Sequence, residues 1–194
     1  MGVLDNIKDK VKQIFNYFKS DADFLQYIHM GSCTSPCMFC PIRDKKIYKN
    51  GEEVSLPAHL RCDCKYVEIE TKSVGNISNK GFQAPDVYLK AYGKLPDYYI
   101  TKDEAMQKYG WSRGKDLSKY APNKMIGGDR FYNNRGILPE KEGRLWYECD
   151  VDYDNGLRDG LRLYYSNDGL IFYSEFHDES KVVFIKWWRK LWKK

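Results

Sequence analysis

The chain has 194 residues and a formal net charge of +5, with 32 lysines and arginines against 27 aspartates and glutamates. A hydrophobic content of 42%, with 15% aromatic residues, excludes an intrinsically disordered chain because such a composition can fill a core. No run reaches the roughly 20 apolar residues that a membrane-spanning helix needs. The small excess of positive charge favours polyanionic partners but does not distinguish a nucleic acid from a membrane surface.

Residues 1–30 are predicted to form an amphipathic helical lead. Apolar residues such as Val3, Ile7 and Val11 recur at spacings of three or four with lysines between them, which is typical of a helix with one apolar face. We expect that face to pack against neighbouring protein. The same residues lack the basic start and apolar stretch of a secretory signal peptide, so the sequence predicts a protein that is cytoplasmic when made.

Residues 31–70 are predicted to form a small module rich in cysteine and histidine. It contains two short Cys/His turns separated by a longer segment, which is the usual frame of a structural zinc site. A loop closed by disulfides and a set of plain reduced thiols are the alternatives. The predicted ligands come from Cys37, Cys40, His59, Cys62 and Cys64.

Between the two turns, "RDKKIYKNGEEV" predicts two short strands around a turn at Asn50 and Gly51. The next segment, residues 71–84, is polar and rich in turn-forming residues, so it is predicted to be a linker.

Residues 85–185 predict an α+β domain. Helical stretches come first, and a run of short strands follows near residues 145–151, 161–166, 170–175 and 181–185. Helices followed by consecutive strands indicate an antiparallel sheet.

Charged residues recur on one side of these predicted strands. Strand alternation places Glu148 and Asp150 on the same face, and Arg162 lies on the next strand. A polar face that gathers Glu148, Arg158, Arg162 and His177 offers a carboxylate base, an imidazole acid and fixed positive charge. This set suits cleavage of a phosphodiester without a metal ion. The alternative is a group of solvated cross-strand pairs with an incidental histidine.

The motifs "LPDYYITKDEA", "GWSRGKDLSKYAPNKMIGGDRF", "GRLWYECDVDY" and "GLRDGLRLYYSNDGLIFY" follow one another in an order that resembles the barnase-like family of microbial ribonucleases. The resemblance covers residues 85–185. It implies three helices followed by a five-stranded antiparallel sheet. It also implies an endoribonuclease that cleaves single-stranded RNA by transphosphorylation and leaves a 2′,3′-cyclic phosphate.

The same resemblance implies a role for each of five residues. Glu148 would be the general base that takes the proton of the ribose 2′-hydroxyl, and His177 the general acid that protonates the leaving oxygen. The scissile phosphate would be held by Lys102, Arg158 and Arg162. No metal ion or other cofactor is implied for this reaction.

The predicted base-binding loop departs from the family pattern. The family has Asn-Arg-Glu-Gly after its "GGD" motif, whereas this chain has Asn134 in place of the arginine and Arg135 in place of the glutamate. A guanidinium has no acceptor for the guanine edge, so we expect weak guanine preference. After the histidine, Asp178 replaces an aromatic residue. The predicted base-contacting residues are Tyr132, Asn133, Asn134 and Arg135.

Residues 31–70 also resemble the Cys/His module of minor head proteins from phages related to Mu. A Cys-x2-Cys turn, a strand pair around a glycine and the ending "LPAHLRCDC" carry the resemblance. It implies a delivery or docking module with virion components as partners, joined to a toxic payload. The ribonuclease resemblance further implies an acidic, barstar-like inhibitor. A catalytically weak RNA-binding or structural phage protein on a ribonuclease fold is the alternative.

Residues 186–194 form a basic aromatic tail, "KWWRKLWKK". We expect this tail to pack against protein, with contact to a membrane interface or to RNA as the alternatives.

Overall fold

The computed structural model describes residues 22–30, 39–56 and 62–186. The chain divides into two compact units, the first made of residues 1–69 with 136–139 and the second of residues 70–135 with 140–194. Several sequence predictions lie outside the described residues: residues 1–21 of the helical lead, Cys37, His59, and the tail beyond Lys186.

The first unit contains a three-stranded antiparallel sheet in the order β2-β1-β3. Its strands are β1 (Phe24–Ile28), β2 (Ile47–Lys49) and β3 (Lys65–Glu68), and a short helix, α1 (Phe39–Arg43), precedes β2. β1 is the central strand and pairs on both sides, so its backbone groups are satisfied across its length.

Two predictions for this unit are wrong in detail. The described end of the lead, predicted to be helical, forms β1. The turn at Asn50 and Gly51 is present, with Gly51 at a φ of +91°, but the predicted second strand at residues 52–54 does not form. β2 pairs with β1 instead. The backbone N–H of Asn50 donates to the carbonyl of Asp23 and extends this pairing by one more hydrogen bond.

A cluster of Tyr27, Cys40, Cys62 and Cys64 forms a core of the first unit, and we call it the Cys–Tyr cluster. All four side chains are buried, and the ring of Tyr66 packs edge-on against Tyr27 at 5.4 Å. The three cysteines are therefore shielded from solvent.

The second unit contains a seven-stranded sheet in the order β4-β10-β9-β8-β7-β6-β5. The five strands from β6 to β10 pair antiparallel, as the family resemblance implies, while β4 and β5 add parallel edges. The segment predicted as a linker thus contributes an edge strand. The strands are β4 (Thr71–Ser73), β5 (Tyr99–Ile100), β6 (Met125–Phe131), β7 (Trp146–Asp150), β8 (Arg162–Ser166), β9 (Ile171–Ser174) and β10 (Val183–Lys186).

Two helices, α2 (Pro85–Tyr92) and α3 (Lys102–Tyr109), precede the antiparallel strands. The resemblance implies three helices, but the described residues of this unit form two α-helices, and a 3-10 turn at Leu117–Lys119 follows the second. Leu89 and Ala105 from the helices share one core with Cys149 of β7. Because side chains alternate along a strand, Glu148 and Asp150 of β7 lie on the face opposite Cys149. No helix in the described part of the chain has the length and apolar character needed to cross a bilayer.

A β-bulge in β6 interrupts the pairing with β7 between Gly127 and Asp129. A Cβ on Gly127 would lie 2.5 Å from the Cβ of Cys149, and Gly128 has a φ of +91°, so neither position suits a larger residue. The extra residue shifts the register, and Asp129 consequently pairs with Glu148.

Candidate active site

One face of the seven-stranded sheet collects charged residues from three neighbouring strands. Glu148 of β7 pairs with Asp129 of β6 and with Tyr164 of β8, and Asp150 pairs with Arg162. Directly paired residues project on the same side of a sheet. The predicted polar face is therefore present, and the bulge in β6 adds Asp129 to it.

Glu148 lies at the centre of this face, with a partner on each carboxylate oxygen. The Nζ of Lys102 donates to Oε1 at 2.5 Å, and Nε2 of His177 lies 3.7 Å from Oε2. Burial by itself would raise the pKa of Glu148, but the contacts with His177 and Lys102 and the charges of these two groups outweigh burial and lower the pKa to about 2. Glu148 is therefore ionised at neutral pH.

Lys102 is placed by the start of helix α3. Thr101 caps this helix, accepting a hydrogen bond from the backbone N–H of Glu104, and the Glu104 side chain accepts one from the N–H of Thr101. The backbone N–H of Lys102 donates to both carboxylate oxygens of Asp129 at 3.2 Å. The capping box and Asp129 together fix the first turn of the helix, so the lysine side chain extends from an anchored backbone.

His177 lies in a tight turn after β9, at a φ of +51°. Its backbone N–H donates to the carbonyl of Gly160 at 2.7 Å. The hydroxyl of Ser174, which is fully buried, accepts from the backbone N–H groups of Phe176 and Asp178. The turn is thus held by backbone bonds, and the imidazole itself remains about half exposed.

Asp150 holds the two predicted phosphate-binding arginines. Its carboxylate accepts from Nε and Nη2 of Arg158 at 2.6 and 2.7 Å, and lies 2.7 Å from Nη1 of Arg162. Asp150 and Arg162 are almost completely buried, whereas the Arg158 side chain is 19% exposed. Sequence reasoning placed Asp150 on the face of Glu148 without giving it a role. The pairing of Asp150 with Arg162 across β7 and β8 shows its role, and the sequence alone does not give that register.

The predicted base-binding loop follows β6. Tyr132 is 74% exposed, and Asn133 is buried with a φ of +48°. The Nη1 of Arg135 lies 3.1 Å from Oε1 of Glu179 and 3.6 Å from Oδ1 of Asp178. Arg135 therefore joins this loop to the residues after His177. Sequence reasoning did not identify Glu179, since no motif marks it. Asn134 is exposed.

The predicted metal ligands are only partly described. Cys40, Cys62 and Cys64 come together in the Cys–Tyr cluster of the first unit, where they are present as thiols. His29 adds an imidazole, with Nδ1 3.4 Å from Sγ of Cys64. Sequence reasoning missed His29 because it lies outside the two Cys/His turns. Cys37 and His59 are outside the described residues.

The polar face of the second unit has the parts of a site for acid–base chemistry on an anion. An ionised carboxylate lies beside an accessible imidazole, which together can accept and donate a proton. Lys102, Arg158 and Arg162 add fixed positive charge, which can stabilise negative charge that develops during a reaction.

Comparison with known proteins gives a consistent result. A family described as ribonuclease matches residues 82–184. A ribonuclease of Heyndrickxia coagulans is 47% identical over 91 residues, which cover 46% of this chain and 83% of that protein. Ribonucleases of Bacillus intermedius and Bacillus pumilus are also 47% identical over 91 residues, and the chain spans 56% of the length of each.

Proposed function

The chain belongs to the barnase-like family of ribonucleases, and from this we propose that it is an endoribonuclease that cleaves single-stranded RNA by transphosphorylation. The contact of Glu148 with both Lys102 and His177 is the observation that carries this proposal. It places the two groups that would move protons beside a cation. Asp150 holds two further cations on the same sheet.

In the proposed reaction, the carboxylate of Glu148 takes the proton of the ribose 2′-hydroxyl. The 2′-oxygen attacks the phosphorus, the bond from phosphorus to the 5′-oxygen breaks, and His177 protonates that oxygen. Lys102, Arg158 and Arg162 stabilise the additional negative charge on the phosphate. The products are a 2′,3′-cyclic phosphate and a free 5′-hydroxyl. DNA is no substrate because it lacks the internal nucleophile.

Lys102 also links substrate binding to the strength of the base. With a pKa of about 2, Glu148 is fully ionised but is a weak proton acceptor. When a substrate phosphate engages Lys102, the carboxylate shares a cation that had lowered its pKa. Its pKa then rises, which makes it a better base when the 2′-hydroxyl is in place.

We propose that this reaction needs no metal ion, because three cationic side chains supply the charge a metal would otherwise provide. The test is incubation of the purified chain with a labelled RNA in EDTA, with the ends identified by mass spectrometry. Cyclic phosphate ends are expected. An RNA with one 2′-deoxynucleotide should resist cleavage at that position. Absence of cleavage, or cleavage at the 2′-deoxynucleotide, would contradict the proposal.

A second candidate function is RNA binding with negligible turnover. Arg135 and Asp178 favour it, because both depart from the family pattern and they lie 3.6 Å apart. It ranks second because Glu148 and His177 are both present and adjacent. Equal toxicity of the unmodified chain and His177→Asn in cells would support binding, whereas loss of toxicity in the variant supports cleavage.

We propose that the chain acts as a toxin on cytoplasmic RNA. A ribonuclease active in the cytoplasm endangers the cell that makes it, so we expect a dedicated acidic inhibitor that covers the active site. Co-expression with the products of neighbouring genes tests this: at least one should restore growth. The module at residues 31–70 is proposed to dock the chain to virion components.

For the first unit we propose a structural metal ion, zinc, instead of a catalytic one. The Cys–Tyr cluster is buried, which suits a closed site without an open position for substrate.

Lys102→Met is expected to raise the pKa of Glu148, since a hydrogen bond and a positive charge from Lys102 help to lower it. The acidic limb of the pH profile of kcat/KM, which reports the free enzyme, should move to higher pH. Steady-state kinetics on a dinucleotide measure this shift. Lys108→Met is the matched control, because Lys108 pairs with Glu104 on the exposed side of the same helix. An unmoved acidic limb would contradict the assignment of Glu148 as the base.

Arg135→Gln is expected to lower kcat/KM for GpN and ApN dinucleotides in parallel. Arg135 pairs with Asp178 and Glu179, so its loss should loosen the turn of His177 without removing a base contact. Glu179→Gln should act like Arg135→Gln, and Arg113→Gln, at an exposed position, should have no effect. A change in the GpN to ApN ratio alone would show that Arg135 reads the base.

The unmodified chain should prefer GpN over ApN only modestly. The loop lacks the carboxylate of the family pattern, and this loss costs on the order of 1–3 kcal/mol of selectivity.

A further inference from the structure

Four metal-binding side chains converge in the first unit from three separate segments. His29 follows strand β1, Cys40 lies in helix α1, and Cys62 and Cys64 precede strand β3. The donor atoms of His29, Cys40 and Cys64 all lie within 4.8 Å of one another. The Sγ of Cys62 lies 3.9 Å from that of Cys40 and adds a fourth donor.

The spacing of these atoms resembles that around a tetrahedral ion. Zinc lies about 2.3 Å from sulfur and about 2.0 Å from imidazole nitrogen, so neighbouring donors in a tetrahedron are separated by about 3.5 to 3.8 Å. The observed separations are 3.4 Å between His29 Nδ1 and Cys64 Sγ and 3.9 Å between the sulfurs of Cys40 and Cys62. These two separations are close to the expected ones, and the donors of His29, Cys40 and Cys64 form one group within 4.8 Å. Cys62 lies outside that group and would have to move towards it to complete the site.

The donor set also selects the metal and its role. Thiolate and imidazole ligands in a tetrahedral arrangement favour zinc over magnesium or calcium, which prefer oxygen. The three cysteines are buried, and four protein ligands leave no open coordination position. Such a site has a structural role.

We infer that the first unit binds one zinc ion through His29, Cys40, Cys62 and Cys64, with His29 as the imidazole ligand in the place that sequence spacing assigns to His59. The ion then joins the end of β1, helix α1 and the start of β3. It cross-links a helix and two strands that pair with each other. This inference rests on the structural metal proposed for the first unit and is independent of ribonuclease activity.

The experiment measures zinc in the purified full-length chain and its variants. Elemental analysis should find one zinc per chain, and competition with a chromophoric chelator gives its affinity. His29→Ala should weaken zinc binding by at least about tenfold, since it removes a direct ligand. His59→Ala and His177→Asn, which remove histidines outside the ligand set, should bind zinc like the unmodified chain.

A second measurement decides the question if His29→Ala does not fold. Cobalt bound in place of zinc should give the absorption of a tetrahedral site with three thiolates and one imidazole. His29→Cys should retain the metal and shift that spectrum towards four thiolates. An unmodified chain without bound metal would overturn the inference, and so would loss of zinc in His59→Ala but not in His29→Ala. RNA cleavage assayed on the same preparations separates failure of this site from failure of the proposed function.

Discussion

Replacing Glu148 by glutamine is expected to reduce RNA cleavage by about 10²- to 10⁴-fold, the usual contribution of a positioned proton acceptor. Glutamine has nearly the same shape and can still accept a hydrogen bond from Lys102, so the fold should be retained. What is lost is the negative charge and the ability to take a proton. The value of kcat/KM on a dinucleotide measures the effect, with circular dichroism to verify folding.

His177→Asn should cause a loss of similar size, because it removes the proposed proton donor. Asparagine is the suitable replacement since His177 has a φ of +51°, a conformation that asparagine tolerates better than alanine. The two substitutions together should cost much less than the product of the single losses, because the two groups act in one reaction. Glu175→Gln, at an exposed position near the same turn, is the control. Full activity in either variant would exclude the proposed base and acid.

Asp150→Asn is expected to lower the free energy of unfolding by about 3–5 kcal/mol, the cost of breaking a buried ion pair from one side. The carboxylate holds both Arg158 and Arg162, and an amide leaves two guanidiniums without their counter-charge. Denaturation in urea measures the change. Cleavage should also fall under conditions in which the variant is folded, because the arginines lose the group that positions them.

Asp168→Asn provides the comparison for that result. Asp168 makes a similar two-pronged pair with Arg144, but its side chain is 36% exposed. Solvent screens such a pair, so its loss should cost about 1 kcal/mol at most. If Asp150→Asn were no more destabilising than Asp168→Asn, the buried carboxylate would not be the anchor of the arginines.

The fold of the second unit was largely predictable because its signals are local. Period-two alternation in "WYECD" placed Glu148 and Asp150 on one face, and β7 has them there. The predicted strands near 145–151, 161–166, 170–175 and 181–185 coincide with β7 to β10 within a few residues. Each strand has its own alternation of polar and apolar residues, which the sequence shows directly. In an antiparallel meander each strand pairs with the next one in the chain, so the order of the strands in the sheet also follows from the sequence.

Other features depend on pairing between distant segments, which no local pattern specifies. The edge strand β4 comes from a polar segment that pairs with β10 more than a hundred residues away. The bulge at Gly127 and Gly128 brings Asp129 opposite Glu148, where simple alternation would turn it away. Likewise, β2 pairs with β1, which precedes it in the chain, and not with the residues after Gly51.

The sequence by itself therefore determined the residue types that carry the chemistry and the faces of the strands on which they lie. Those properties follow from side-chain identity and from a backbone period of two. Only the tertiary structure decided which side chains contact one another: Asp150 with two arginines, Arg135 with Glu179, and His29 with Cys64. Ion pairs and metal sites need contacts of a few ångströms between segments far apart in the chain, and such contacts arise only when packing closes the loops between them.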